Sequence, residues 1–359
     1  MAATEARPGA EGAGRVPTRS IWRRARTPLR VVVSGVLLAY LVHKGSLSAI
    51  GRALRDASPD WIAAGLGMGI IGALVTIWQW HGVLRTLGLR RSYRRCVRLE
   101  LAGDVFDAAL PSSIGGDVLR AVSVAKTPAE RQAGVASVVL RRLCNFPGVV
   151  LLMGAGVVVT WWAGVRDRAW PAIGVALGLG LALVVCTASP LSGWLASRPW
   201  MGRRLLRPVG NVLSMVDSFR GRRAALAIAA LRGSLFWCCA VASQWCYMRA
   251  VGAHHVTLAY AGVVVTVTNM VTMLPIALGG YGLREGTFSA LLSAAGMATV
   301  AQGVAVGACL TAQTALFGLL GLPSYLTLRS TLRSRLRPDG EHYSSAGPVD
   351  RPKAAVEVA

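Results

Sequence analysis

Two stretches, PSSIGGDVLR at residues 111–120 and PIALGGYGLR at residues 275–284, decide how this 359-residue chain is organised. They share the pattern P-x-x-[I/L]-G-G-x-x-L-R and lie 164 residues apart. Proline cannot donate a backbone N–H and paired glycines weaken a helix, so residues 111–116 and 275–282 are predicted to be non-helical. The predicted turn residues are Pro111, Gly115 and Gly116 in the first stretch and Pro275, Gly279, Gly280 and Gly282 in the second.

Six apolar segments surround these stretches, and a membrane span needs about 20 apolar residues. The predicted spans are 29–43, 61–81, 133–162, 170–189, 224–250 and 298–326. The short segment 29–43 fits either a span or the apolar core of a cleaved signal peptide. The offset of 164 residues carries 61–81 onto 225–245 and 133–162 onto 297–326. We therefore predict an all-α integral membrane protein with about six transmembrane helices and two Pro/Gly-broken re-entrant segments in an inverted repeat.

The predicted membrane domain covers residues 29–328, with half one at 29–163 and half two at 168–328. Residues 1–28 and 329–359 are rich in Ala, Gly, Pro and charge, which is typical of disordered tails. Of the 39 Lys and Arg residues, 26 lie in the tails and in alternate loops, and five lie in the intervening loops. Because cytoplasmic loops carry the Lys/Arg excess, we expect both termini to be cytoplasmic.

The net charge of +23 would also suit a nucleic-acid-binding protein. The arginines are divided among several loops rather than collected on one soluble module, so no nucleic-acid partner is expected. The sequence has no HExxH, CxxC or GxxxxGK[ST] motif, and we expect neither a metal nor another cofactor.

Ionisable side chains inside apolar segments are costly and are candidates for function. The candidates are Glu100, Asp104, Asp107, Asp117, Arg120, Arg141, Arg142, Arg284 and Glu285. In one interpretation they only neutralise one another, with Asp104 or Asp107 pairing with Arg141 or Arg142. In the other, arginines bind a lipid phosphate and carboxylates meet a cationic or hydroxylated head group. Asp117 and Glu285 are open to three roles: gate, proton carrier or counter-ion.

The stretches PSSIGGDVLRA and LPIALGGYGLREG resemble the two motifs of the lysylphosphatidylglycerol synthase transmembrane family, and the resemblance extends over about residues 30–328. It implies a flippase-like membrane domain that moves a phospholipid or other anionic lipid between leaflets. In the best-known members that lipid is a lysine-modified phosphatidylglycerol. The family often has Glu-Arg where this chain has Arg141 and Arg142, so pairing with Asp104 or Asp107 is expected to replace a local ion pair.

No soluble domain follows residue 328, so we expect a stand-alone member without synthase activity, and not an enzyme. The leading prediction is a multi-pass lipid flippase in the inner membrane of a bacterial-type cell, with an anionic, aminoacylated or polyprenyl-phosphate lipid as its partner. A separate lipid-modifying enzyme is a further candidate partner. The alternative is a membrane glycosyltransferase, or an accessory protein, acting on polyprenyl-phosphate-linked sugars, for which loop 43–60 offers only Asp56 and Asp60. A membrane scaffold would not need buried charges beside broken helices.

Overall fold

The computed structural model describes residues 19–109, 114–125, 127, 130–162, 223–273 and 280–336. The regular structure in these ranges is helical, without strands. The helices are α1 (Arg19–Gly45), α2 (Leu47–Arg55), α3 (Pro59–Thr86), α4 (Tyr93–Ala109), α5 (Ile114–Val124), α6 (Arg131–Trp162), α7 (Arg223–Ala250), α8 (Leu258–Met273), α9 (Leu283–Ala294) and α10 (Val300–Leu336).

Four of the described helices, α3, α6, α7 and α10, are long and apolar enough to cross a membrane. The first three contain the predicted spans 61–81, 133–162 and 224–250, and α10 begins two residues inside the predicted span 298–326. The predicted span 29–43 lies within α1, which is bent by 81° against α2 at Ser46, a residue with φ of 58°. The described part of the chain therefore has four spans, or five if α1 and α2 together count as one. The predicted span 170–189 lies outside the described residues.

The helices extend into both predicted tails. α1 begins at Arg19, inside the predicted tail 1–28, and α10 continues to Leu336, inside the predicted tail 329–359. These two segments are helical in the structure, because arginine and leucine are good helix formers and prolong the adjoining helices. Residues 1–18 and 337–359 lie outside the described ranges.

The two halves correspond closely at the offset of 164 residues. When 164 is added to the residue numbers of α3, its first and last residues coincide with those of α7. The same shift brings the ends of α4 to within one residue of the ends of α8. These equivalent helices α3 and α7 are antiparallel neighbours, because Gly65 near the start of α3 contacts Tyr247 near the end of α7 while Gly72 contacts Cys239. The inverted repeat predicted from the two motifs is therefore confirmed.

Each half contains an antiparallel helical hairpin interrupted at its motif. In half one the hairpin is α4–α5, and in half two it is α8–α9, where the Tyr260 hydroxyl donates to the carbonyl of Leu291 at 2.9 Å. Each hairpin packs against the last long helix of the other half, α4 on α10 and α8 on α6. A Cβ added at Gly321 of α10 would lie 2.0 Å from the carbonyl oxygen of Leu101. Glycine at this position therefore allows α10 of half two to pack closely against α4 of half one.

Arginines of the α3–α4 connection and of α4 hold the C-terminal end of α5. Arg91 Nε donates to the carbonyl of Val124 at 2.9 Å, and Arg95 Nη2 donates to the carbonyl of Ser123 at 3.2 Å. The last carbonyls of a helix lack partners within the helix, and cations near them are favourable. These contacts fix the position of α5, which carries Asp117 and Arg120.

Candidate functional site

A cavity of about 500 Å³ lies between the two halves and is lined by side chains from eight helices, α3 to α10. Eight of the nine ionisable residues selected from the sequence line it. They are Glu100, Asp104, Asp107, Asp117, Arg120, Arg141, Arg142 and Arg284. The sequence candidates are therefore one spatial group, with the exception of Glu285.

Arg120 is the centre of an ion-pair cluster contributed by half one. Its Nη2 donates to Asp104 Oδ1 at 2.6 Å and its Nη1 donates to Asp107 Oδ2 at 2.8 Å. Its Nε also lies 3.2 Å from Glu100 Oε1, and its side chain is only 3% exposed. The α4–α5 hairpin makes this possible because it places three acidic positions of one face of α4 around a single guanidinium.

The two arginines of α6 complete the cluster, but they pair with different carboxylates from those predicted. Arg141 Nη1 donates to both oxygens of Glu100, at 2.9 and 2.8 Å. Arg142 Nε donates to Asp117 Oδ2 at 2.6 Å. The expected pairing of Arg141 or Arg142 with Asp104 or Asp107 is therefore wrong, because Arg120 of the same hairpin already occupies both aspartates.

The cluster contains four carboxylates and three guanidinium groups, so it carries one excess negative charge when all seven are ionised. Its arginines are occupied by protein carboxylates, and a buried arginine in such an arrangement is satisfied without a ligand. The contacts within half one therefore agree with the first interpretation drawn from the sequence, in which the ionisable side chains neutralise one another.

Arg284 is the repeat equivalent of Arg120 but has a different environment. Residues 264, 268 and 271 of half two, which correspond to Glu100, Asp104 and Asp107, are valine, threonine and valine. Among the described residues Arg284 has no carboxylate within ion-pair distance, and its buried Nη1 has no hydrogen-bond partner. Within the described part of the chain, Arg284 therefore lines the cavity with a guanidinium nitrogen, Nη1, that no protein acceptor uses.

Glu285, next to Arg284, contributes to the helix terminus and is not part of the cavity lining. Its Oε2 accepts a hydrogen bond from the backbone N–H of Gly282 at 2.7 Å, and its Oε1 accepts one from the Thr311 hydroxyl at 3.3 Å. A carboxylate that caps the first turn of a helix also interacts favourably with the helix dipole. These contacts support a structural role at the start of α9, in addition to the three roles predicted from the sequence, which stay predictions.

The chain matches the family model described as the lysylphosphatidylglycerol synthase TM region over residues 29–323. The chain belongs to this family. The match covers most of the chain, including both motifs, both hairpins and the charged cluster. A comparison with curated proteins gives no match. Family membership and the apolar helices together identify a multi-pass membrane protein with a lipid-related function.

The two family motifs differ in local structure. In half one, Gly115 and Gly116 are helical and belong to the first turn of α5, so the predicted unwinding at these glycines is wrong. Gly116 is needed instead for close packing, because a Cβ there would lie 2.4 Å from Asp107 Oδ1. In half two, Gly280 and Gly282 are non-helical with φ of 79° and 82°, as predicted. Pro111, Pro275 and Gly279 lie outside the described residues.

Uncharged polar side chains also line the cavity and were not predicted from the sequence, notably Asn145, Trp237, Gln244 and Gln313. Two of them connect helices, because Asn145 accepts a hydrogen bond from Gln79 at 2.9 Å and Gln313 accepts one from Tyr247. An uncharged polar residue within an apolar span does not stand out in the sequence as a charged one does. Only its position in the fold identifies it as part of the cavity lining. Among the described residues, no group of three His, Cys, Asp or Glu side chains is arranged to hold a metal ion.

Proposed function

We propose that this protein is a lipid flippase that moves a phospholipid or other anionic lipid, including an aminoacylated one, between leaflets of the membrane. The observation that carries the proposal is Arg284, a guanidinium that lines the cavity without a carboxylate partner among the described residues. A lipid phosphodiester supplies the negative charge and the acceptor oxygens that such a group lacks.

The inverted repeat supports transport rather than catalysis. Substrate sites of many transporters lie at the interface of two inverted repeats, beside helices interrupted by Pro and Gly. Here the cavity is lined from both halves, and Arg284 follows the interrupted segment that ends at Gly282. Non-helical backbone, such as that at Gly280 and Gly282, is tolerated at membrane depth only where protein or a polar cavity receives it.

The distribution of arginine supports an orientation with both termini in the cytoplasm of a bacterial-type cell. The basic α3–α4 connection would then face the anionic inner leaflet, where each cation contributes up to about 1 kcal/mol to membrane attachment. The α2–α3 and α7–α8 connections would lie on the outer side. A lipid-modifying enzyme acting in the same leaflet is the expected source of the transported lipid.

The contacts give less support to the alternative, a glycosyltransferase or accessory protein acting on polyprenyl-phosphate-linked sugars. Asp56 directly follows α2 and Asp60 lies in the first turn of α3, and neither lines the cavity. Polyprenyl phosphates nevertheless carry a phosphate that Arg284 would bind. They therefore belong among the lipids to be tested as cargo.

The proposal is tested with the full chain reconstituted in vesicles that contain a fluorescent lipid. Three probes separate the lipid classes: phosphatidylglycerol, lysylphosphatidylglycerol and a polyprenyl phosphate. We expect the protein to accelerate movement of at least one phosphate-containing probe between leaflets over protein-free vesicles. Equal rates with and without protein for all three probes would refute the proposal.

A further inference from the structure

Two polar side chains of α7, Trp237 and Gln244, line the cavity without making a hydrogen bond to any described residue. Trp237 is 6% exposed and its buried Nε1 has no acceptor. Gln244 is 5% exposed and its Oε1 is buried without a donor. Both residues belong to the lining of the same cavity as Arg284.

Such unpaired groups are unusual, because the large majority of buried polar atoms in proteins have a hydrogen-bond partner. Other tryptophans of this protein follow that rule. The indole of Trp80 donates to the Ser137 hydroxyl at 3.1 Å, and that of Trp245 donates to the carbonyl of Val256 at 2.9 Å. Trp237 is therefore an indole donor that the described residues leave unused.

The unpaired groups described above all come from half two of the protein. Trp237 and Gln244 are seven residues apart, so they lie on one face of α7, about 10 Å apart along its axis. Arg284, on α9, adds an unused guanidinium nitrogen from the same half of the protein. On the side of half one, the arginines that line the cavity are engaged by carboxylates.

We propose that the indole N–H of Trp237 donates a hydrogen bond to the phosphate of the transported lipid, together with the guanidinium of Arg284. This assignment rests on the proposed flippase function and adds a second phosphate-binding side chain, on α7, to the site at Arg284. Two donors of different helices bind two oxygens of one phosphate, so the site distinguishes a phospholipid from a neutral diacylglycerol. Gln244, on the same face of α7, has a side-chain oxygen that remains available to accept a further hydrogen bond.

The assignment is tested with the substitution Trp237→Phe, which keeps an aromatic ring and removes the N–H donor. The purified full chain in detergent micelles is titrated with dihexanoyl phosphatidylglycerol and, separately, with dioctanoylglycerol, which has no phosphate. The matched control is Trp78→Phe, because Trp78 is 46% exposed and does not line the cavity.

We expect Trp237→Phe to weaken binding of the phosphatidylglycerol by about 10- to 100-fold, the usual effect of losing a hydrogen bond to a charged group. Binding of dioctanoylglycerol should stay unchanged, which also shows that the cavity is intact. Trp78→Phe should bind both lipids as the wild type does.

Two results would overturn the assignment. Unchanged binding of phosphatidylglycerol by Trp237→Phe would show that the indole makes no contact with the phosphate. Equal weakening for both lipids would show that the ring only packs in the cavity wall. If the wild type moves lipid between leaflets in either case, the flippase proposal stands and only the role of Trp237 falls. If the wild type neither binds nor moves a phospholipid, both fall.

Discussion

Arg120 and Arg284 occupy equivalent positions in the two halves, but the same substitution should destabilise the protein at Arg120 and leave its stability nearly unchanged at Arg284. Arg120 is 3% exposed and donates to Asp104 at 2.6 Å and to Asp107 at 2.8 Å. Hydrogen bonds to charged groups contribute about 1.5–3 kcal/mol each. Removing one partner of a buried ion pair costs about 3–5 kcal/mol, because the remaining charges stay buried. We therefore expect Arg120→Gln to lower the free energy of unfolding by about 3–5 kcal/mol.

Arg284→Gln removes a guanidinium that has no ion pair among the described residues. No carboxylate among the described residues loses its partner, so the free energy of unfolding should change by no more than about 1 kcal/mol. Thermal unfolding of both variants in the same detergent measures the difference. Arg120→Gln should melt several degrees below the wild type, and Arg284→Gln should melt close to it.

The expected difference in melting temperature would be refuted if both variants melted at the wild-type temperature, since the cluster around Arg120 would then contribute nothing to stability. It would also be refuted if Arg284→Gln were destabilised as strongly as Arg120→Gln. That result would mean that Arg284 is held by a protein carboxylate and is not available to a lipid phosphate.

Three further substitutions, one of them a control, test the packing of the cluster and the role of the second motif. Gly103→Ala places a Cβ 2.5 Å from the guanidinium of Arg120 and should cost about 1–3 kcal/mol of stability, measured by thermal unfolding. Gly67→Ala, where a Cβ meets nothing within 4 Å, should be neutral or stabilising. Glu285→Gln keeps an oxygen that can accept from the N–H of Gly282, so lipid movement in vesicles should stay near the wild-type rate. A complete loss of movement would instead assign Glu285 a charge-dependent step such as proton transfer.

The helical framework could be predicted from the sequence because it depends on local properties. Apolar length identified four long helices, and the repeat of 164 residues related the two halves before any contact was known. The turn at Gly280 and Gly282 also followed from glycine alone, since both residues have φ near 80°. The turn at Gly115 and Gly116 did not, because close packing against Asp107 outweighs the poor helix propensity of glycine there.

The partners within the site could not be predicted, because they depend on which helix faces which. The sequence brought the acidic residues of α4 onto one face but gave no means of choosing between Arg120 and the α6 arginines as their partners. The unused donor of Trp237 is a property of the cavity alone. Nothing in the local sequence separates this tryptophan from Trp80, whose indole is satisfied by Ser137.

The central claim is that lipid passes through the cavity with its phosphate at Arg284. The most direct measurement is the rate at which a fluorescent phosphatidylglycerol moves between leaflets of vesicles containing the wild type, Arg284→Gln or Arg232→Gln. Arg232 is the matched control, because it lies in a membrane span, contacts the ring of Trp78 at 3.8 Å and does not line the cavity. The account predicts fast movement with the wild type and with Arg232→Gln, and the rate of protein-free vesicles with Arg284→Gln. Equal movement with Arg284→Gln and the wild type would contradict it.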